Sequence, residues 1–230
     1  MRFILAAALA LTPLLAADKE SSKRLDESAA VFSEIMATPD KGIPQQMIEN
    51  AHCIINVPAL KTAAFLVGAK YGKGYLSCRN TGAEGWSAPA TVRIEGGSVG
   101  FQIGSSETDL IMLAMNARGA DKLLSSKFTL CVDGSIAAGA AGRTATAQTD
   151  AQMHAEILSW SRSQWIFAGV ALEGATLRQD ANSNAALYGK TIDNREIVTS
   201  GVAVPEAAEK LLGLLNRYSW HERKEITEQQ

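Results

Sequence analysis

The spacing of apolar residues divides the chain into two helical ends and a strand-rich middle. Near the N-terminus apolar residues recur every three or four positions, which predicts an amphipathic helix over residues 20–36. Near the C-terminus Pro205 is well placed to open a second helix. The apolar stripes of the two helices consist of Leu25, Ala29, Phe32, Ile35 and Met36, and of Ala208, Leu211, Leu212, Leu215 and Tyr218.

Between these helices, short runs of β-branched and aromatic residues alternate with Gly, Asn and Asp, which is typical of an antiparallel sheet. Gly96-Gly97 predicts a tight hairpin turn, because both residues readily adopt positive φ. Gly72-Lys73-Gly74 likewise predicts a tight turn between two strands, since a strand rather than a helix follows it. The predicted strands are residues 53–57, 63–69, 75–79, 90–95, 98–103, 110–115, 128–132, 135–140, 154–161, 164–170 and a short run near Leu177.

The pattern as a whole predicts an α+β fold. Its sheet is a curved antiparallel β-sheet or half-barrel flanked by N-terminal and C-terminal helices. A short additional helix is predicted from Pro44 to about Ala51, and another over residues 120–125.

The N-terminus has the order of a secretory signal: Arg2 precedes an uncharged, mainly apolar run over residues 3–15. Residues 1–17 are therefore predicted to be a signal peptide, residues 18–220 a single domain and residues 221–230 a charged flexible tail. The predicted location is outside the cytoplasm, in the periplasm or associated with the envelope.

Composition narrows the classes of function. A formal net charge of −2 in 230 residues does not provide the overall basic surface that nucleic-acid binding requires. The three cysteines, Cys53, Cys78 and Cys131, show no C-x-x-C spacing that would indicate a zinc site. They allow at most one disulfide within the chain, and their apolar surroundings favour buried thiols.

Catalytic and metal-binding motifs are incomplete. Asp180, Asn182 and Asn184 have the spacing of a calcium loop, but the sixth-place Gly and the closing Glu are missing, so a polar turn that caps a helix is the favoured interpretation. Asp150 and His154 stand near Ser161 without the strand-turn-helix context of a reactive serine. The sequence therefore predicts a protein that is not an enzyme and that needs no cofactor or metal.

A group of cations interleaved with aromatic residues lies in the early predicted hairpins. Cations beside lipid phosphates and aromatic rings at the headgroup level suit a membrane surface, whereas Lys-bearing strand edges in solvent are the alternative. Phe32, on the first helix, would supply the apolar part of the contact unless it faces the core. The candidate lipid-binding residues are Lys61, Lys70, Tyr71, Lys73, Tyr75, Arg79 and Phe32.

Two glycine-rich segments carry a resemblance to a known family. Residues 85–89 read Gly-Trp-Ser-Ala-Pro, and residues 96–104 read Gly-Gly-Ser-Val-Gly-Phe-Gln-Ile-Gly, followed by Asp109-Leu110-Ile111. Together they resemble the core of the SYLF domain family, and the similarity extends over roughly residues 20–200. The motif positions expected to have a structural role are Gly85, Trp86, Pro89, Gly96, Gly97, Gly100 and Gly104.

This resemblance implies a lipid-binding module without catalytic residues. Eukaryotic members bind phosphoinositide membranes and some bind actin filaments, whereas bacterial members are exported. The expectation is a non-enzymatic phospholipid-binding protein at an envelope membrane surface. The alternative is an interaction or scaffold protein that binds a protein partner through the sheet, in the manner of an actin regulator.

Overall fold

The computed structural model describes residues 12–38, 42–80, 84–130, 136–139, 155–161, 172 and 174–219, without the side chains of residues 12–18, 64–67 and 98–104. The predicted α+β class is confirmed. The helices are α1 (Thr12–Ala37), α2 (Gln45–Asn50), α3 (Ala117–Leu123), α4 (Ala181–Tyr188), α5 (Asn194–Thr199) and α6 (Glu209–Tyr218), with a 3-10 turn at Glu206–Ala208 before α6. The strands are β1 (Cys53–Cys78), β2 (Ala90–Ala114), β3 (Lys127–Thr129), β4 (Ile136–Ala138), β5 (Ile157–Ser161) and β6 (Ala175–Gln179).

Two long strands replace the series of short strands that the sequence predicted. β1 has 26 residues and β2 has 25, and they pair antiparallel from Cys53 opposite Ala114 to Leu76 opposite Ala90. The predicted hairpin turn at Gly96-Gly97 is wrong: both residues lie inside β2, and neither has a positive φ. The turn predicted at Gly72-Lys73-Gly74 is also wrong, because these residues lie inside β1.

Close packing explains the glycines that the sequence pattern assigned to turns. A Cβ on Gly96 would lie 2.7 Å from the Cα of Ala175 in β6, and a Cβ on Gly74 would lie 2.8 Å from the Cα of Val57 in the first part of β1. Such distances exclude a side chain unless the backbone moves. These glycines therefore allow close approach of another backbone, whereas Gly97 has ample room.

The β1–β2 ribbon curls back on itself. An extended strand of this length would span about 85 Å, at roughly 3.3 Å per residue. The Cα atoms of its two ends, Cys53 and Cys78, are instead 3.9 Å apart, and the two residues form a disulfide with an S–S distance of 2.04 Å. The prediction of buried thiols was therefore wrong for this pair, because sequence spacing does not show that the two ends of one strand meet.

The remaining strands extend the two ends of the ribbon. β6 pairs with residues 92–96 of β2 and β3 pairs with β6, while β5 pairs with residues 110–114 of β2 and β4 runs parallel to β5. The inner core inside this curl includes Ile55, Val92, Ile94, Met112 and Leu177, which come from both ends of the ribbon. The predicted curved sheet flanked by helices is thus confirmed.

Helices cover the outer face of one end of the sheet. Phe32 of α1 and Leu211 of α6 pack in one cluster with Ile111 and Leu113 of β2. Since the neighbouring Met112 faces the inner core, this part of β2 is buried on both faces, which accounts for its unbroken apolar sequence. Within the described residues, no helix is both long and apolar enough to cross a bilayer.

Candidate anion-binding face of the sheet

The early cluster of cations and aromatic residues does not form a common surface. Phe32 is fully buried and meets the ring of Tyr218 edge-on at 5.8 Å between centroids. Tyr75 is buried and donates a hydrogen bond from its hydroxyl to the carbonyl oxygen of Ser21 at 2.8 Å. Lys70 is also buried. The interpretation of these three side chains as one membrane-facing site is therefore wrong, because Phe32 and Tyr75 pack between the helices and the sheet and Lys70 is buried.

Arg79 joins elements of the fold. Its guanidinium donates hydrogen bonds to the carbonyl oxygens of Ile48, Glu49 and Ala51 at the end of α2, and it lies 4.2 Å from the ring centroid of Trp86. Burial lowers the pKa of this guanidinium, while the nearby Glu49 carboxylate acts in the opposite direction. A cation enclosed by carbonyl oxygens and an indole ring stabilises the helix C-terminus rather than contacting a ligand.

Lys73 forms an ion pair with a carboxylate that caps a helix. Its Nζ lies 2.8 Å from Oδ2 of the buried Asp180 and donates a hydrogen bond to Oγ of Ser183 at 3.0 Å. Asp180 is the N-cap of α4 and accepts a hydrogen bond from the backbone N–H of Ser183. The prediction of a polar turn capping a helix at this sequence is confirmed.

Of the seven candidate lipid-binding residues, only Lys61 and Tyr71 are well exposed. Tyr71 is 48% exposed and lies on β1, on the part of the sheet that β6 and β3 extend. The outer face of those strands is therefore open to solvent at Tyr71.

On that face four basic residues stand side by side across four neighbouring strands. Lys73 of β1 lies opposite Arg93 of β2, Arg93 opposite Arg178 of β6, and Arg178 opposite Lys127 of β3. We call these four residues the basic row. Since Val92, Ile94 and Leu177 face the inner core, the intervening positions of these strands point to the outer face.

Glu95 lies against the two arginines of the basic row. Arg93 donates a hydrogen bond from Nε to Glu95 Oε2 at 3.2 Å. The Nε of Arg178 is 2.7 Å from Glu95 Oε1, but it is buried and its N–H is not aligned for a hydrogen bond with that oxygen or with any other acceptor among the described residues. One carboxylate thus serves two guanidinium groups, and the contact with Arg178 is an ion pair alone.

The charges on this face do not cancel. Apart from Lys73, which Asp180 neutralises, the row has three cations and Glu95 is the one carboxylate in contact with them among the described residues. Thr176 and Thr129 lie in the next register row with Tyr71 and Glu95. The arrangement is a hydroxyl-lined sheet face with excess positive charge, which attracts anionic groups.

Residues of the glycine and tryptophan motif contact other elements of the fold or lie within β2. Gly85 has a φ of 88°, Trp86 donates a hydrogen bond from Nε1 to Ser219 Oγ at 2.8 Å, and the carbonyl oxygen of Pro89 accepts one from the hydroxyl of Tyr188 at 2.7 Å. Gly100 and Gly104 lie in β2 with Gly96 and Gly97. The motif therefore connects the ribbon to α4 and to the end of α6.

No group of metal-ligating side chains occurs in the part of the chain that the structure describes. Cys131, Asp150 and His154 lie outside the described residues, as do most of the predicted signal peptide and the charged tail. The polar groups gathered on the outer sheet face are guanidinium, ammonium and hydroxyl groups with the carboxylate of Glu95, and the excess of cations suits ionic recognition of an anion.

Sequence reasoning missed Arg93, Arg178 and Lys127. The local signal was present, because Arg93 stands between the apolar Val92 and Ile94, as an outward residue of a strand does. What the sequence does not contain is the register that places residues of four separate strands opposite one another.

Comparison with known proteins identifies relatives of this chain. Residues 95–218, more than half of the chain, match the family profile described as "Ysc84: Las17-binding protein actin regulator". An SH3 domain-containing protein of Schizosaccharomyces pombe is 35% identical over 178 residues, which are 76% of this chain and 41% of the relative. The SH3 domain-containing YSC84-like protein 1 of Xenopus laevis is 30% identical over 92% of this chain and 63% of the relative.

The protein YSC84 of Saccharomyces cerevisiae is 30% identical over 76% of this chain and 38% of its own length. The chain therefore spans between about two fifths and three fifths of the length of these relatives. The family profile includes Glu95, Lys127 and Arg178, whereas Lys73 and Arg93 precede it.

Proposed function

The chain belongs to the Ysc84 family, whose SYLF domain it carries, and from this premise we propose that it is a non-enzymatic protein that binds the phospholipid surface of a membrane. The basic row is the observation that supports this function. Three of its cations lie side by side on one sheet face, with Glu95 between two of them.

Charge near an anionic lipid surface supplies the attraction. Each well-placed Lys or Arg contributes about 1 kcal/mol to binding at such a surface. Arg93, Arg178 and Lys127 together therefore provide a few kcal/mol, reduced by Glu95. Tyr71, exposed on the same face, has an amphipathic ring of the kind that suits the headgroup level.

Export to the periplasm or envelope is part of the proposal. Arg2 and the apolar residues 3–15 support it, and so does the Cys53–Cys78 disulfide, since disulfides persist mainly in oxidising compartments. N-terminal sequencing of the protein from fractionated cells tests this. We expect the mature chain to start near Asp18 and to be found outside the cytoplasm. Recovery of only the full-length chain from the cytosol would contradict export.

Liposome co-sedimentation tests the binding function. The mature chain should sediment with vesicles that contain phosphatidylglycerol and much less with pure phosphatidylcholine vesicles. Binding should weaken as salt rises, because screening shortens the reach of charge to about 10 Å at 0.1 M ionic strength. Arg178→Glu and Lys127→Glu should each lower the affinity by about thirtyfold, from two units of charge at about 1 kcal/mol each.

Lys210→Glu is the matched control. Lys210 is exposed on α6, in the helical layer, and its charge reversal alters the net charge by the same amount. It should leave the affinity nearly unchanged. Equal losses for the three variants would mean that overall charge, and not the basic row, governs binding.

A protein partner is the second candidate, because the family description names a Las17-binding actin regulator. The sheet face is again the surface proposed for this contact. Co-sedimentation with filamentous actin distinguishes the two functions. Actin binding that Arg178→Glu abolishes, without vesicle binding by the unmodified chain, would favour the second candidate and reject the first.

A further inference from the structure

The contact between Glu95 and the two arginines of the basic row has the form of an occupied anion site. Arg93 and Arg178 are directly opposite each other on adjacent antiparallel strands. Like charges in such positions, with Cβ atoms about 5 Å apart, repel each other unless an anion lies between them. In this structure the anion is the carboxylate of Glu95, which presents one oxygen to each Nε.

We infer that Arg93 and Arg178 form an oxyanion-binding site that Glu95 fills in the free protein and that the phosphate group of a lipid headgroup enters by displacing Glu95. This inference rests on the membrane-binding function proposed above and adds the position and regulation of the contact. Glu95 then acts as an internal competitor for the site.

The geometry at Arg178 shows that Glu95 satisfies the site incompletely. The Nε of Arg178 is buried, yet it makes no hydrogen bond with an acceptor in the described residues. A buried donor without an acceptor is unfavourable. A phosphate oxygen placed in line with this N–H would supply the missing hydrogen bond, and a guanidinium recognises phosphate through two such bonds.

The local charge favours displacement of Glu95 by a phosphate group. Glu95 brings one negative charge to two guanidinium groups, and Lys127 adds a third cation at the edge. A phosphate group presents more oxygens to the same cations, so it meets both guanidinium groups without relying on one shared carboxylate. The side chain of Glu95 is 36% exposed, and exposed ion pairs contribute little to stability, so its displacement leaves the strand pairing intact.

The test is Glu95→Gln, which preserves the shape of the side chain and removes its charge. Affinity for vesicles of phosphatidylcholine with added phosphatidic acid should rise about fivefold, the factor that corresponds to about 1 kcal/mol for one charge at an anionic surface. Glu209→Gln, an exposed residue at the start of α6, makes the same change of net charge in the helical layer. It should have little effect on the affinity.

A double-mutant cycle links the gain to the site. In an Arg178→Gln background, Glu95→Gln should raise the affinity by much less than in the unmodified chain, because one of the two guanidinium groups is gone. An equal gain in both backgrounds, or equal gains for Glu95→Gln and Glu209→Gln, would overturn the inference. Thermal melts of each variant verify that it is folded.

A second arm separates this inference from the proposed function. Inorganic phosphate is titrated into the unmodified chain and into Glu95→Gln, and binding is followed by nuclear magnetic resonance of the arginine Nε–H groups. Phosphate binding strengthened by Glu95→Gln without any vesicle binding would reject the membrane function and assign the site to a soluble phosphate. Vesicle binding that Glu95→Gln leaves unchanged, with no phosphate response at Arg178, would reject the oxyanion site and retain the membrane function.

Discussion

At the scale of single residues, the fold depends on positions where a side chain must be absent or fully enclosed. Gly74 is an example of the first kind, because the two parts of β1 cross at Val57 with no room for a Cβ. Tyr75, the next residue, is an example of the second kind. Its ring packs in the cluster between the sheet and the helices, and its hydroxyl donates a hydrogen bond to α1.

Gly74→Ala should destabilise the protein by about 1–3 kcal/mol, since an added methyl group in a filled contact forces the backbones apart. Chemical denaturation measures the change. Gly213→Ala in α6 is the control, because a Cβ there meets no atom within 4 Å. It should be neutral or stabilising by up to about 1 kcal/mol, since alanine favours a helix. Equal stability of Gly74→Ala and the unmodified chain would contradict the crossing.

Tyr75 should make the folded state sensitive to alkali. Burial raises its pKa from 10.0 to about 12, so the folded protein retains a proton that the unfolded chain loses. This contribution to stability is complete below pH 10 and is lost as the pH rises towards about 12. The free energy of unfolding of Tyr75→Phe should therefore fall less steeply over this interval than that of the unmodified chain.

Tyr71→Phe serves as the comparison, because Tyr71 is exposed on the same strand. It controls for the loss of a phenol hydroxyl from an exposed position. Identical slopes for all three proteins would show that Tyr75 ionises as freely in the folded state as in the unfolded state.

At the scale of elements, α4 is attached to the sheet by buried polar groups. The side-chain oxygen of Asn184 accepts hydrogen bonds from the backbone N–H and the hydroxyl of Thr91, and its amide donates to Asn194. The Asp180 carboxylate adds the ion pair with Lys73. Asp180, Asn184, Thr91 and Asn194 therefore all have polar partners in this network, which is the condition for such a network to stabilise a fold.

Asp180→Asn should cost about 1–3 kcal/mol, because Lys73 loses its counter-ion while the amide oxygen can still cap the helix. Asp193→Asn is a matched control, since Asp193 caps α5 in the same way and is exposed. Its cost should be roughly 0.5 kcal/mol or less. Similar costs for both variants would show that the ion pair contributes nothing beyond the cap.

The same comparison has a defined pH dependence. Burial alone would raise the pKa of Asp180, but the hydrogen bonds from Lys73 and Ser183 outweigh it and bring the pKa below 3.8. The contribution of the ionised Asp180 to stability is then complete above pH 3.8, and it is lost as the pH falls through the lower pKa of the folded state. The stabilities of Asp180→Asn and the unmodified chain should converge in acid.

At the scale of the whole molecule, one curled ribbon organises everything else. Its ends hold the two smaller groups of strands, its interior is the main core, and the helices cover its outer face at one end. The outer face at the other end, where β6 and β3 extend the ribbon, bears the basic row. The disulfide between Cys53 and Cys78 closes the ribbon where its first strand begins and ends.

Removal of this disulfide should lower the stability by about 3.5 kcal/mol, the value that loop-closure entropy gives for a loop of about 25 residues. The double variant Cys53→Ser/Cys78→Ser is compared with the unmodified chain, with and without reductant. Reductant should destabilise only the unmodified chain. If peptide mapping of the exported protein shows both thiols free, the closure is not covalent.

The sequence by itself determined the class of fold, the two flanking helices, the capping turn at Asp180 and the family. These features depend on local periodicity and on motifs that are continuous along the chain. Pro205 and the stripe of Leu211, Leu212 and Leu215 needed no distant partner to indicate a buried helix face, and the structure buries that face.

Only the tertiary structure decided how the strands continue and which cations reach the surface. A glycine pair fits a turn and a close approach of two strands equally well, and the choice depends on a strand that lies far away in sequence, as Ala175 does from Gly96. Likewise, Arg93 and Arg178 meet because of strand register, and Tyr75 is buried because α1 packs over the outer face of the sheet. Register and curvature arise from contacts between distant segments, so local alternation of residues does not contain them.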